Sequence, residues 1–131
     1  MIAVTVLALP LGVGHVAPMD RDGRFFALGV GKRPCSDYVK FREKKLDLTP
    51  EQYDFAQHVL ENWVAGFLTA HNYYVTDTYD VQGSKTILEI QQRVETYCRD
   101  NPSNYFVDAV IALALALHPT RVISERATLL K

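Results

Sequence analysis

Residues 49–71, TPEQYDFAQHVLENWVAGFLTAH, carry the clearest helical signal in the chain. Thr49 supplies a capping hydroxyl, Pro50 suits the first helical position, and Gln52 can reach back to the cap. Apolar residues then recur at the spacing of one helical face, namely Ala56, Val59, Leu60, Trp63, Val64, Phe67 and Leu68. We therefore predict an amphipathic helix that begins after Thr49 and ends near His71.

Three other segments also show helical patterns. Residues 35–45 favour a short helix, and residues 84–100 favour a helix capped by Ser84. Residues 101–117 favour a helix that opens at Asn101-Pro102. In the third helix the positions expected to be buried are Ile87, Ile90 (or Gln91), Val94, Tyr97 and Cys98. The predicted fold class is all-α, a small bundle of about four helices.

The last predicted helix is strongly apolar, because every residue from Ala109 to Leu117 is apolar. Such a helix either lies at the centre of a bundle or covers an apolar surface of a partner. The sequence leaves both interpretations open.

Length and composition fit one domain. The chain has 131 residues, of which 48% are hydrophobic and 22% are charged, as is ordinary for a globular protein. We assign residues 18–34, rich in Gly, Pro and charge, to an extended lead-in, and residues 35–131 to a single helical domain. With 14 Lys and Arg against 15 Asp and Glu, no overall field attracts nucleic acid or anionic lipid.

Residues 1–17, MIAVTVLALPLGVGHVA, resemble a secretory leader. An apolar run from Ile2 to Val13 precedes a small-residue end, with Ala17 at the cleavage position. No Lys or Arg precedes Arg21, so the usual positive start of a leader is missing. The alternative is a buried N-terminal strand or helix. Membrane insertion is not expected, because the run is too short.

The chain contains two cysteines, Cys35 and Cys98. An even number in an exported domain indicates pairing, and two cysteines alone cannot form a zinc site. We predict a disulfide bond between them that closes the helical fold. In the loop-entropy model it would stabilise the folded chain by about 4 kcal/mol.

No catalytic, metal or cofactor site is predicted. No Ser lies in a Gly-x-Ser-x-Gly motif, and both cysteines are assigned to the disulfide. Glu61, Glu89 and Glu95 fall at positions expected to be exposed on helices. His71 and His118 lie near helix C-termini, where the helix dipole favours a histidine without any function. We therefore predict that the protein is not an enzyme.

The candidate partner-binding residues are aromatic. Tyr73, Tyr74 and Tyr79 cluster after the long helix, and tyrosine is common at protein interfaces. Trp63 and Phe67 of the long helix are further candidates. The alternative is that the tyrosines cover the open end of the bundle.

Five blocks of sequence together resemble the HdeA-like periplasmic proteins. They are residues 35–38 (CSDY), 63–72 (WVAGFLTAHN), 78–83 (TYDVQG), 97–102 (YCRDNP) and 106–109 (FVDA). The resemblance rests on the order of these blocks rather than on any one motif. It implies a small, all-helical periplasmic domain with bonded cysteines.

For the best-known members, the resemblance implies an acid-stress chaperone that is a homodimer at neutral pH and opens in acid to bind unfolded clients. Protonated carboxylates and histidines would give the chain a net charge of about +17 without the leader, which favours such opening. The segment between the cysteines looks longer than in the short acid chaperones. Our alternative is an immunity protein that neutralises a secretion-system toxin, because similar cysteine-linked periplasmic proteins resemble that class.

Overall fold

The computed structural model describes residues 19–127 and contains four α-helices in that range. They are α1 (Cys35–Arg42), α2 (Pro50–Tyr74), α3 (Ile87–Asp100) and α4 (Phe106–Leu117). Short 3₁₀ turns occur at Gly29–Lys32, His118–Thr120 and Glu125–Ala127, and the described residues contain no strand. The predicted all-α bundle of about four helices is confirmed. The predicted leader, residues 1–17, lies outside the described residues.

The start of α2 is formed as the sequence predicts. Gln52 N donates to Thr49 Oγ1 at 3.3 Å, and Thr49 N donates to Gln52 Oε1 at 2.9 Å. The helix continues to Tyr74, almost one turn beyond the predicted end at His71.

The predicted start of α3 is wrong, because Thr86 rather than Ser84 caps the helix. Thr86 Oγ1 accepts from Glu89 N at 3.2 Å, while Glu89 Oε2 accepts from Thr86 N at 2.8 Å. Ile87 was predicted to be buried and is 55% exposed, because it lies in the first turn of α3 at the edge of the bundle. Of the other predicted core positions of α3, Ile90, Val94 and Cys98 are buried and Tyr97 is half-buried.

The predicted start of α4 at Asn101-Pro102 is also wrong. Asn101 instead ends α3, where its backbone N–H donates to Tyr97 O at 2.9 Å, and α4 begins at Phe106. α4 lies at the centre of the core, as one of the two interpretations predicts. Its buried residues are Phe106, Val107, Ala109, Val110, Leu113, Ala114 and Leu117.

The predicted disulfide joins Cys35, the first residue of α1, to Cys98 in the last turn of α3. Both cysteines are fully buried. Backbone hydrogen bonds surround them, because Cys35 N donates to Asn104 O at 2.7 Å and Phe106 N donates to Arg33 O at 2.8 Å. We call this region the disulfide junction. It fixes α1, α3 and the start of α4 relative to one another.

The lead-in is more ordered than an extended segment. Residues Gly29–Lys32 form a 3₁₀ turn against α2, where Trp63 Nε1 donates to Leu28 O at 3.1 Å. Gly31 is buried beneath the Trp63 ring. The same ring contacts Phe106 of α4, with the two centroids 5.7 Å apart. Trp63 thus anchors one side of α2 to the lead-in and to α4.

Gly31→Ala should lower the free energy of unfolding by about 1–3 kcal/mol, because a Cβ at this position would collide with Cζ2 of Trp63. Gly66→Ala is the matched control. Gly66 lies on α2 with open space around its Cβ position, so alanine should stabilise the helix by up to about 1 kcal/mol. Urea denaturation measures both variants. Equal free energies of unfolding for the two variants would contradict the close packing of Trp63 on Gly31.

Candidate functional site

An apolar cleft lies between α2 and α3. Its apolar lining is Leu60, Val64 and Leu68 of α2, Ile87, Ile90 and Val94 of α3, and Phe106 of α4. The cavity measures about 40 Å³. That is room for a few water molecules, whereas sites for small-molecule ligands usually measure about 300–1,000 Å³. A sizeable ligand can therefore reach this apolar surface only after α2 and α3 separate.

Polar side chains bridge the rim of the cleft. Glu61 Oε1 of α2 accepts hydrogen bonds from Gln57 Nε2 at 2.7 Å and from Gln91 Nε2 of α3 at 2.6 Å. Arg42 of α1 donates to Gln57 Oε1 at 3.4 Å and pairs with Glu95 Oε2 of α3 at 3.0 Å. We call these five residues the rim network. It joins α2 to α1 and α3 through side chains alone.

Ion pairs keep the carboxylates of this region charged. Glu95 also pairs with Arg99 at 2.6 Å, and Arg99 in turn pairs with Glu43. Burial alone would raise the pKa of Glu95, but hydrogen bonds from Arg99 and Arg42 outweigh it and hold the pKa below its ordinary value. Hydrogen bonds from Lys45 and Arg99 likewise lower the pKa of Glu43. The stability these carboxylates contribute is therefore present above pH 4.5 and is lost as the pH falls through their folded-state pKa values.

Tyr38 of α1 forms part of the cleft wall next to the rim network. Its ring packs on Phe106 with centroids 5.0 Å apart. Burial raises the pKa of the Tyr38 phenol to about 12, against the opposing charge of Arg42. The phenol is therefore neutral at ordinary pH and serves as a wall rather than as an acid or base.

A second polar contact holds the C-terminal end of α2. His71 Nε2 lies 3.4 Å from His118 Nδ1, just beyond the last residue of α4. The next residue on α2, Asn72, accepts a hydrogen bond from Val81 N at 2.8 Å. The two histidines therefore interact with each other, in addition to their positions at helix C-termini.

The structure divides the predicted aromatic residues into two groups. Tyr73 and Tyr74 are 81% and 80% exposed, and their rings meet edge-on with centroids 4.8 Å apart. Tyr79 is half-exposed in the following connection. Trp63 and Phe67 instead stack on each other, with centroids 5.9 Å apart, and pack against the core. We call Tyr73 and Tyr74 the tyrosine patch.

Sequence reasoning misses the rim network. Glu61 and Glu95 were expected to be exposed, but their side chains are only 28% and 21% exposed because neighbouring helices cover them. A signal is present, since Gln57 and Glu61 on α2 repeat the i, i+4 spacing of Gln91 and Glu95 on α3. That spacing does not reveal that the two helices face each other.

Within residues 19–127, no group of three or more His, Cys, Asp or Glu side chains is arranged to hold a metal ion. No helix in the same range has both the length and the apolar character needed to cross a bilayer.

Comparison with known proteins finds no family model, no curated protein and no solved structure that matches this chain. The HdeA-like resemblance therefore stays a prediction. The cleft, the rim network and the histidine contact are the features from which a function can be inferred.

Glu95→Gln should lower the free energy of unfolding at pH 7 by about 1–2 kcal/mol, because Arg42 loses a charged partner at the rim. At pH 3 the difference from the native protein should shrink, since the stability contributed by a carboxylate with a lowered pKa is lost as the pH falls below 4.5. Urea denaturation at both pH values measures this. Asp54→Asn, at an exposed position of α2, is the control and should change little at either pH. If Glu95→Gln lowers the free energy of unfolding by the same amount at pH 3 and at pH 7, the charge of Glu95 does not contribute to stability.

Proposed function

We propose that this protein is a non-enzymatic, periplasmic protein-binding protein, an acid-stress chaperone that exposes the cleft between α2 and α3 at low pH. The observation that carries the proposal is the way α2 is held. The disulfide junction fixes α1, α3 and α4, whereas polar side chains hold α2. Glu61 binds Gln91 of α3, and His71 contacts His118 after α4, so ionisable groups form the contacts of α2 with its neighbours.

The anchoring of α2 favours a hinged opening. Trp63 holds one side of the helix to Gly31 and Phe106, while Leu60, Val64 and Leu68 face α3 across the cleft. α2 can roll about the Trp63 contact and leave the disulfide junction intact. The bond between Cys35 and Cys98 would then keep the acid form from unfolding completely.

The energetics favour a closed cleft at neutral pH. Exposing three aliphatic side chains of α2 costs on the order of 5 kcal/mol. In acid, protonation of Glu95 removes the negative charge that pairs with Arg42 in the rim network. The chain also gains a large positive charge, and self-repulsion then favours the open form. The apolar faces of α2 and α3 would become available to unfolded clients.

A client-aggregation assay tests this function. At pH 3 the native protein should suppress aggregation of an acid-unfolded client, and at pH 7 it should not, because the cleft is closed. Leu60→Gln, in the cleft lining, should protect less at pH 3, while Leu115→Gln, an exposed position on α4, should protect as the native protein does. Circular dichroism at pH 7 confirms that both variants fold. Absence of client protection at pH 3 by the native protein would contradict the proposal.

The tyrosine patch favours a second candidate, an immunity protein that binds a specific toxin. Two adjacent tyrosines with about 80% exposure offer a large contact area on the folded protein at neutral pH. The two candidates differ in their pH requirement. Neutral-pH binding of a toxin encoded beside the gene, abolished by Tyr73→Ala and Tyr74→Ala, would favour the immunity protein.

A further inference from the structure

Two histidines that are 47 positions apart in the sequence meet where α2 and α4 end. His71 Nε2 and His118 Nδ1 are 3.4 Å apart, and the rings meet edge-on with centroids 5.6 Å apart. Both residues are half-buried. At neutral pH one imidazole can donate its N–H while the other accepts, so the contact is attractive.

The charged surroundings of this pair are cationic. Arg121, from the segment after α4, donates to His118 O at 3.0 Å and to Asp77 O at 2.7 Å. Asp80, in the connection after α2, turns its carboxylate toward Gln82 N at 2.9 Å. The charges that act on His71 within the described residues are those of His118 and Arg121. These charges include no carboxylate, so none of them balances the positive charge that a proton adds to the histidine pair.

Burial is the main cause that lowers the pKa of His71, and the positive charges of His118 and Arg121 lower it further. These effects outweigh the dipole of α2, which by itself would favour a charged histidine at this end. A lowered histidine pKa means that the unfolded chain binds protons more readily than the folded chain. The stability associated with His71 is therefore fully present above pH 6.5 and is lost as the pH falls toward the folded-state pKa.

We propose that the His71–His118 contact is a mild-acid latch, which releases the C-terminal end of α2 before the rim network responds. The consequence for clients rests on the function proposed above. His71 follows Leu68 of the cleft lining by one helical turn, so loss of the contact loosens the cleft at its Leu68 end first.

Protonation breaks the contact in two steps. The first proton can be shared, because an imidazolium N–H still donates to a neutral imidazole nitrogen. The second proton leaves two N–H donors facing each other, and these two cations repel each other and Arg121.

The latch and the rim network respond in different pH ranges. Histidine in an unfolded chain titrates near pH 6.5 and glutamate near pH 4.5, and the pKa values of His71 and Glu95 are lowered in the folded protein. The latch therefore begins to weaken as the pH falls below 6.5, and the rim network begins to weaken as it falls below 4.5. Because the two pH ranges differ, we expect the cleft to open in two stages as the pH falls.

The test is urea denaturation at pH 7 and pH 5 of the native protein and of the double variant His71→Gln/His118→Gln. For the native protein, the equilibrium constant for unfolding should rise several-fold on acidification, up to about tenfold for each unit by which the pKa of His71 is lowered. The double variant should show no such rise. Asn62→Gln is the control, because Asn62 is exposed on the same helix and carries no titratable group, and it should behave as the native protein does. The latch would be overturned if the equilibrium constant for unfolding of the native protein were the same at pH 7 and pH 5. It would also be overturned if this constant rose equally in the double variant.

If the double variant fails to fold, the single variant His118→Gln and nuclear magnetic resonance of the His71 imidazole give the same test. The pKa of His71 should rise toward 6.5 when His118 is removed, and an unchanged pKa would overturn the latch.

Failure of the latch can be distinguished from failure of the chaperone function. A pH response that depends on the two histidines, without client protection at any pH, would keep the latch and reject the chaperone. Client protection with the same pH midpoint in the native protein and the double variant would keep the chaperone and reject the latch.

Discussion

The bond between Cys35 and Cys98 is the constraint on which the rest of this structure depends. It is fully buried and joins residues 63 positions apart, a loop whose closure contributes about 4 kcal/mol in the loop-entropy model. The backbone hydrogen bonds of the disulfide junction extend this constraint to α4. Three helices are thereby fixed relative to one another. α2 lies inside the closed loop and is held in place only by weaker, noncovalent contacts.

The two sides of α2 are held by different kinds of interaction. On one side, Trp63 packs on Gly31 and Phe106, a contact that does not depend on pH. On the other side, the rim network and the histidine pair hold α2 to α3 and to the segment after α4 through polar contacts that include ionisable groups. Half-buried polar contacts contribute little net stability compared with well-packed apolar residues. In the proposed function, their advantage is that acid removes them selectively.

Local sequence signals predict the fold well where the structure depends on local contacts. The Thr49 capping box and the cysteine pair are examples, because each follows from a short motif or from a residue count. The start of α4 is not predictable in this way. Asn101 looks like an N-cap, but the carbonyls of residues 102 and 104 accept from the backbone N–H groups of Ser36 and Cys35 at the start of α1, a contact between distant parts of the chain. The rim network and the histidine pair are missed for the same reason, since helical spacing does not reveal which helices face each other.

Hydrogen exchange measured by mass spectrometry at pH 7 and pH 3 tests the central claim, that acid releases α2 while the disulfide junction holds. Protection is expressed relative to an unstructured chain at the same pH. The C-terminal half of α2 should lose about tenfold more protection than peptides around Cys98 and Phe106, because a helix without packing partners is only marginally stable in water. Equal loss of protection in all four helices, or no loss in α2, would contradict the account.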